Sequence, residues 1–178
     1  MDMKQLFILI TIFSFFLTGC EDNDPNSSDE NNILLITTHD IDAAGASGFY
    51  FDFISGGETD STGSWHISFQ MLSVVGTTYK MPNVVLGDIS ISEYTNVSYD
   101  DITSTPETFL NDNIQNPSDL QYGGISEVLA YDMQIHKVSV NNAERVFIIR
   151  EPINNTTYKI QFIEYISGVT TFKYDALQ

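Results

Sequence analysis

The chain has 178 residues, with 24 Asp and Glu against 7 Lys and Arg, a formal net charge of −17 and one cysteine. Phosphate backbones are held by clustered Lys and Arg. Here Lys80, Lys137, Arg145, Arg150, Lys159 and Lys173 are scattered among more numerous carboxylates, so nucleic acid is disfavoured as a partner. A lone cysteine leaves no internal disulfide, and stability must come from a core.

The first element is a secretory signal. Lys4 precedes an almost unbroken apolar run from Leu6 to Leu17, the charged and hydrophobic regions of such a segment. The run has 12 residues, short of the roughly 20 needed to cross a bilayer core. Leu17-Thr18-Gly19-Cys20 resembles the lipobox of bacterial lipoproteins, which implies cleavage before Cys20 and a diacylglycerol on its thiol. Residues 21–32 hold five acids and no aliphatic or aromatic side chain, so they cannot offset ordering entropy by burial and read as a flexible tether. An acidic run after a lipidated cysteine is also similar to the surface-export signal of Bacteroidota lipoproteins, which implies the outer face of the outer membrane. A solvated spacer explains the composition equally well. Anionic lipid would repel so acidic a surface, leaving the acyl chains to hold the protein at the membrane.

From Ile33 to the end of the chain the hydrophobic period is two, which predicts a single all-β domain over 33–178. Phe49, Phe51 and Phe53 alternate with Tyr50, Asp52 and Ile54; Trp65, Ile67, Phe69 and Met71 alternate with His66, Ser68 and Gln70. Glycine-rich breaks separate runs filled by β-branched and aromatic residues. Further strands are expected near 33–38, 83–91, 126–131, 135–140, 145–150, 156–165 and 169–174. No long segment is helical, although Pro106 is placed to open a short turn, and 98–124 reads as a long irregular excursion. The last three strands form an antiparallel meander through an Asn154-Asn155 turn and an Ile166-Ser167-Gly168 loop. In its middle strand Tyr158, Ile160, Phe162 and Glu164 are expected on one face, with Lys159, Gln161, Ile163 and Tyr165 on the other.

Four features together are similar to the HmuY-like haem-binding lipoproteins: the lipobox with its tether, the strand Gly48-Phe-Tyr-Phe-Asp-Phe53, Trp65-His-Ile-Ser-Phe69, and the ending from Arg145-Val-Phe-Ile-Ile-Arg150 through Tyr158-Lys-Ile-Gln-Phe-Ile-Glu-Tyr165 to Val169-Thr-Thr-Phe-Lys-Tyr174. The last is close over about 30 residues, whereas 76–125 align loosely. Two departures stand out: Trp65-His66 occupies the family's Trp-Asp, and Glu151–Thr156 replaces a shorter turn. The resemblance implies an all-β domain with finger-like hairpins. It also implies haem as cargo, taken from host or environmental haemoproteins and passed to a TonB-dependent outer-membrane receptor.

In that family two His or Met side chains from separate hairpins hold the iron. The hairpin before Arg145 offers Met133 by a gapless count and His136 by a Tyr131…His136-Lys-Val138 pattern. They lie too close in sequence to serve opposite faces of one haem. The partner segment, 100–124, has no His, Met or Cys; Tyr122 is the ligand type nearest the expected place, ahead of the more distant Tyr99, and Met81 would require a shifted loop. A satisfied, hydrogen-bonded histidine is an equally open reading of His136, and Met133 and Met81 are of a type more often found packing than ligating. His66 reads as structural or surface, and His39 with Asp40 and Asp42 as a solvated turn or a small metal site. No nucleophile elbow, zinc helix or phosphate loop occurs, so a binding protein is expected rather than an enzyme. The alternative is a lipid-anchored structural, adhesion or other-ligand module that kept the fold and lost the haem site.

Overall fold

The computed structural model describes residues 34–106, 114 and 116–178. The signal segment, Cys20, the acidic tether and most of the turn expected after Pro106 lie outside the described residues. The fold is all-β. Strands run β1 Leu34–Thr37, β2 Phe49–Asp52, β3 Gly57–Thr59, β4 Ile67–Ser73, β5 Lys80–Leu86, β6 Ser90–Tyr94, β7 Leu129–Asp132, β8 Lys137–Val140, β9 Val146–Arg150, β10 Thr157–Ile166 and β11 Val169–Leu177. Two 3₁₀ turns, Tyr99–Asp101 and Pro117–Leu120, punctuate the irregular stretch between β6 and β7.

The strands form a five-stranded sheet, β1-β11-β10-β9-β6, a four-stranded sheet, β3-β2-β4-β5, and the separate hairpin β7-β8. Every pairing is antiparallel. The two larger sheets face each other across an aromatic core. Alternation aims Phe49, Phe51 and Phe53 inward along and just past β2, where Phe51 meets Phe172 at 5.4 Å between ring centres and Phe53 meets Tyr158 at 5.2 Å. The first pair is edge-to-face and the second stacked, and aromatic pairs of these kinds add roughly 0.5–1.5 kcal/mol each beyond the area they bury.

The five-stranded sheet is covered on its second face as well. Tyr99 and Ile102 pack there against Val146, Ile148 and Leu177, which explains why β9 is a continuous apolar run rather than an alternating one. Lys159 is buried beneath this covering loop. Its Nζ donates to the carbonyls of Tyr99 (3.1 Å) and Ile102 (2.8 Å) and sits 4.3 Å from the Tyr99 ring centre.

Two expectations are corrected by these contacts. The face assignment in β10 fails after Phe162, because the register shifts between Phe162 and Glu164. The extra residue of this bulge reverses the side-chain order, so Tyr165 is buried and Glu164 exposed. The strand expected over 83–91 is two strands in different sheets, β5 and β6. Gly87 breaks it: its amide donates to the His66 carbonyl at 2.8 Å, and a Cβ there would collide with the Trp65 carbonyl. Pro82 lies within β5, which is tolerable because β5 is an edge strand and needs no donor on its outer side.

The meander connections follow turn chemistry. Ser167 (φ 47°) and Gly168 (φ 85°) supply the two left-handed residues of a tight hairpin. Gly168 has a second constraint, since a Cβ would strike the Asp40 carboxylate. The longer β9–β10 connection is organised by Glu151, which is fully buried. Its carboxylate accepts amide hydrogens from Ile153 (2.7 Å), Asn154 (2.8 Å) and Thr156 (3.0 Å).

Burial alone would push the Glu151 carboxyl up, but these amides outweigh it and hold the group below the usual carboxylate range. A carboxyl lowered by folding stabilises the protein above its unfolded value, near 4.5, and that contribution fades as pH falls through the folded value. Glu151→Gln should therefore cost about 2 kcal/mol at pH 7. The gap from the parent protein, followed by urea unfolding, should narrow below about pH 4.5. A gap independent of pH would contradict this role.

Candidate functional site

A cleft of about 510 Å³ opens where two hairpins and a loop meet, lined by Val74, Thr77, Tyr79, Lys80, Met81, Tyr122, Tyr131 and His136. This is within the range of about 300–1,000 Å³ usual for small-molecule sites. The β4–β5 hairpin contributes the first five residues. Its loop is closed by Val74 N–H donating to the Tyr79 carbonyl at 3.0 Å. The β7–β8 hairpin contributes Tyr131 and His136. Between them, the Asp132 carboxylate accepts the Gln134 amide at 2.7 Å, the local bond by which Asp favours turns. His136 closes this turn in a left-handed conformation, φ 53°, one of the less common residue types able to do so.

The loop bearing Tyr122 is fastened to the same hairpin. Asn83, buried on β5, donates from Nδ2 to the Met81 carbonyl at 2.7 Å and accepts the Tyr122 amide at Oδ1. Thus one asparagine fixes Met81 and Tyr122 relative to each other. On the far wall, the Tyr131 hydroxyl lies 2.6 Å from His136 Nδ1. When Nδ1–H donates to that oxygen, the Nε2 lone pair is left for a ligand, a common way of orienting a metal-binding imidazole.

Lys80, Met81 and His136 also border a second depression of about 430 Å³, whose remaining lining includes Asp42, Lys137, Tyr165 and Ser167. Burial, then the nearby Asp42 charge, pushes the Tyr165 phenol up to about 12, so it is a neutral donor at physiological pH. The shared residues form a ridge between an aromatic hollow and a more polar one.

Of the residues singled out from the sequence, His136, Met81 and Tyr122 come together in the cleft without any loop having to shift. Met133 does not line it and is 74% exposed at the tip of the β7–β8 turn. Tyr99 belongs to the covering loop and is buried against the outer face of the five-stranded sheet, away from the cleft. His66 faces the interior and is 4% exposed; its Nδ1 lies 3.1 Å from the Phe53 amide and 3.0 Å from the Asp52 carboxylate. His39 is held between Glu58 (3.2 Å) and the Ser47 carbonyl (3.1 Å). Among the described residues, no group of three or more His, Cys, Asp or Glu is gathered to hold a metal ion.

Sequence reasoning missed Tyr79, Lys80 and Asn83 as site residues. Tyr79 had a usable signal, a large aromatic directly after the polar Gly76-Thr77-Thr78-containing turn, where nothing local would bury it. No family model matches the chain, and no curated protein is detectably similar to it.

Proposed function

We propose that this protein is a surface-exposed lipoprotein, anchored through Cys20, that binds haem in the cleft and delivers it to an outer-membrane uptake receptor. The observation that supports this most is the meeting of His136 and Met81, from two separate hairpins, at one tyrosine-walled cleft. Imidazole and thioether both coordinate haem iron, and tyrosine rings offer flat apolar faces to a planar ligand. The similarity of its strands to HmuY-like lipoproteins points the same way.

Titrating haemin into the purified protein tests the proposal. A saturable one-to-one shift of the Soret band is expected. His136→Asn, which keeps a residue tolerant of left-handed backbone, and Met81→Ala should each weaken binding by at least about tenfold, or roughly 1.4 kcal/mol. Tyr131→Phe removes the group that orients the imidazole and should weaken binding on the order of 10-fold. Met133→Ala should leave it unchanged. No Soret shift would sink the proposal and favour the second reading, an adhesion or docking module. That reading has its own support, since Val75, Tyr79, Ile125, Met133 and Ile135 are all more than half exposed near the loops that form the cleft.

A further inference from the structure

Arginine and lysine are scarce in this chain, and the described ones are mostly occupied. Arg145 is buried against Glu93 and backbone carbonyls, and Lys159 against the carbonyls of Tyr99 and Ile102. Lys173 lies 4.0 Å from the centre of the Tyr99 ring, and Arg150 is also engaged. Lys80 and Lys137 differ from these. Both are exposed, and among the described residues neither has a carboxylate within ion-pair distance.

These two cations stand together. Both line the depression that shares Met81 and His136 with the aromatic cleft, and Lys80 lines the cleft itself. Among the described residues lining either hollow, Asp42 is the one acid. On a protein of net charge −17, an anion meets repulsion over most of the surface, and a local basic spot both attracts and orients it.

We propose that the site selects a flat apolar ligand bearing two carboxylates, with Lys80 and Lys137 receiving the acidic groups and the tyrosine-walled cleft receiving the body. This rests on the haem-binding proposal for the choice of a porphyrin but makes a separate claim, that the acidic groups and not the iron alone determine recognition. Charge-assisted contacts of exposed lysines are screened by salt, whereas aromatic contacts are not.

The test uses iron-free protoporphyrin IX and its dimethyl ester, in the same buffer and cosolvent, with binding followed by porphyrin fluorescence. The protein is compared with its Lys80→Met/Lys137→Met double variant at low and high salt. The free acid should bind the parent about tenfold more tightly than the ester. It should lose that advantage in the double variant and in 1 M NaCl, while ester affinity stays the same in both proteins. Both lysines are exposed, so the thermal midpoint of the double variant should match the parent and serve as the folding control.

Equal affinity for acid and ester in the parent protein, or an undiminished preference in the double variant, would overturn the proposal, as would failure of the free acid to bind. Haemin separates the two claims. If it gives no His136-dependent Soret shift while the acid preference persists, iron coordination fails and the dicarboxylate inference stands. If haemin coordinates but acid and ester bind alike, the reverse holds.

Discussion

Replacing Arg145 by alanine should lower the unfolding free energy by roughly 3–5 kcal/mol, the cost of removing one member of a buried charged network. Its side chain is 7% exposed and gathers acceptors from three separate stretches of chain. Nε and Nη2 donate to the Asn141 carbonyl (3.1 and 2.6 Å), Nη2 donates to Glu127 O (2.7 Å), and Nη1 donates to Ser126 O and pairs with Glu93 (both 3.3 Å). The cation also sits 5.2 Å from the centre of the Phe147 ring. Alanine would take the guanidinium donor from the Ser126 and Asn141 carbonyls and from Glu93, and leave Glu127 O only the Asn141 Nδ2 donor at 3.2 Å.

The three carbonyls flank the base of the β7–β8 hairpin, where Asn141 N–H also donates to Val128 O at 2.8 Å. Arg145 thus ties the hairpin that bears His136 to the five-stranded sheet. Thermal unfolding should begin about 10 °C earlier in the variant, and amide exchange across β7 and β8 should accelerate more than across β10 and β11. Arg145→Lys should recover part of the loss, because one ammonium can reach some but not all of the acceptors. A midpoint within about 2 °C of the parent would refute the tie.

Phe172→Ala should cost a similar amount, about 3–5 kcal/mol, for a different reason. Phe172 has no exposed surface and touches Phe51 (5.4 Å) and Phe69 (5.6 Å) of the opposite sheet as well as Phe162 (6.2 Å) of its own. Truncation leaves a void between two hydrogen-bonded sheets that cannot collapse freely, so the loss includes a cavity cost as well as transfer. Phe172→Leu should retain more than half of the stability lost in the alanine variant. Urea unfolding of both variants checks the pair, and equal losses would mean that the site does not pack as tightly as the ring distances imply.

Much of this architecture was legible from local pattern. The meander of β9, β10 and β11 is sequence-local, its tight turn is written in Ser167-Gly168, and the inward phenylalanines of β2 obey a strict period of two. The errors arose where a distant segment overrides the local rule. Nothing near Lys159 announces that Tyr99 and Ile102, some 60 residues earlier, will bury it. The bulge after Phe162 depends on how β10 must register against β11, and Gly87 ends a strand because of a close approach to Trp65.

The cleft was legible as ingredients only. His136, Tyr122 and Met81 each stood out by chemistry, but their meeting depends on tertiary contacts such as the Asn83 bridge to Tyr122. The family resemblance also put Met133 forward by a gapless count, beside the better-matching Tyr131…His136-Lys-Val138 pattern. The Asp132 turn separates them, leaving Met133 at the exposed tip and His136 against Tyr131.

The edge proline has a consequence for how many molecules can coexist in a small area. Among the described residues both larger sheets end in strands unpaired on one side, each a template on which a second chain could extend the ladder. On the four-stranded sheet one border is β3, only three residues long, and the other is β5, where Pro82 withholds a donor. Neither border offers the uninterrupted row of amides that intermolecular strand addition requires. The β4–β5 hairpin therefore exposes apolar side chains at the cleft on a backbone edge ill suited to pair with a neighbouring copy.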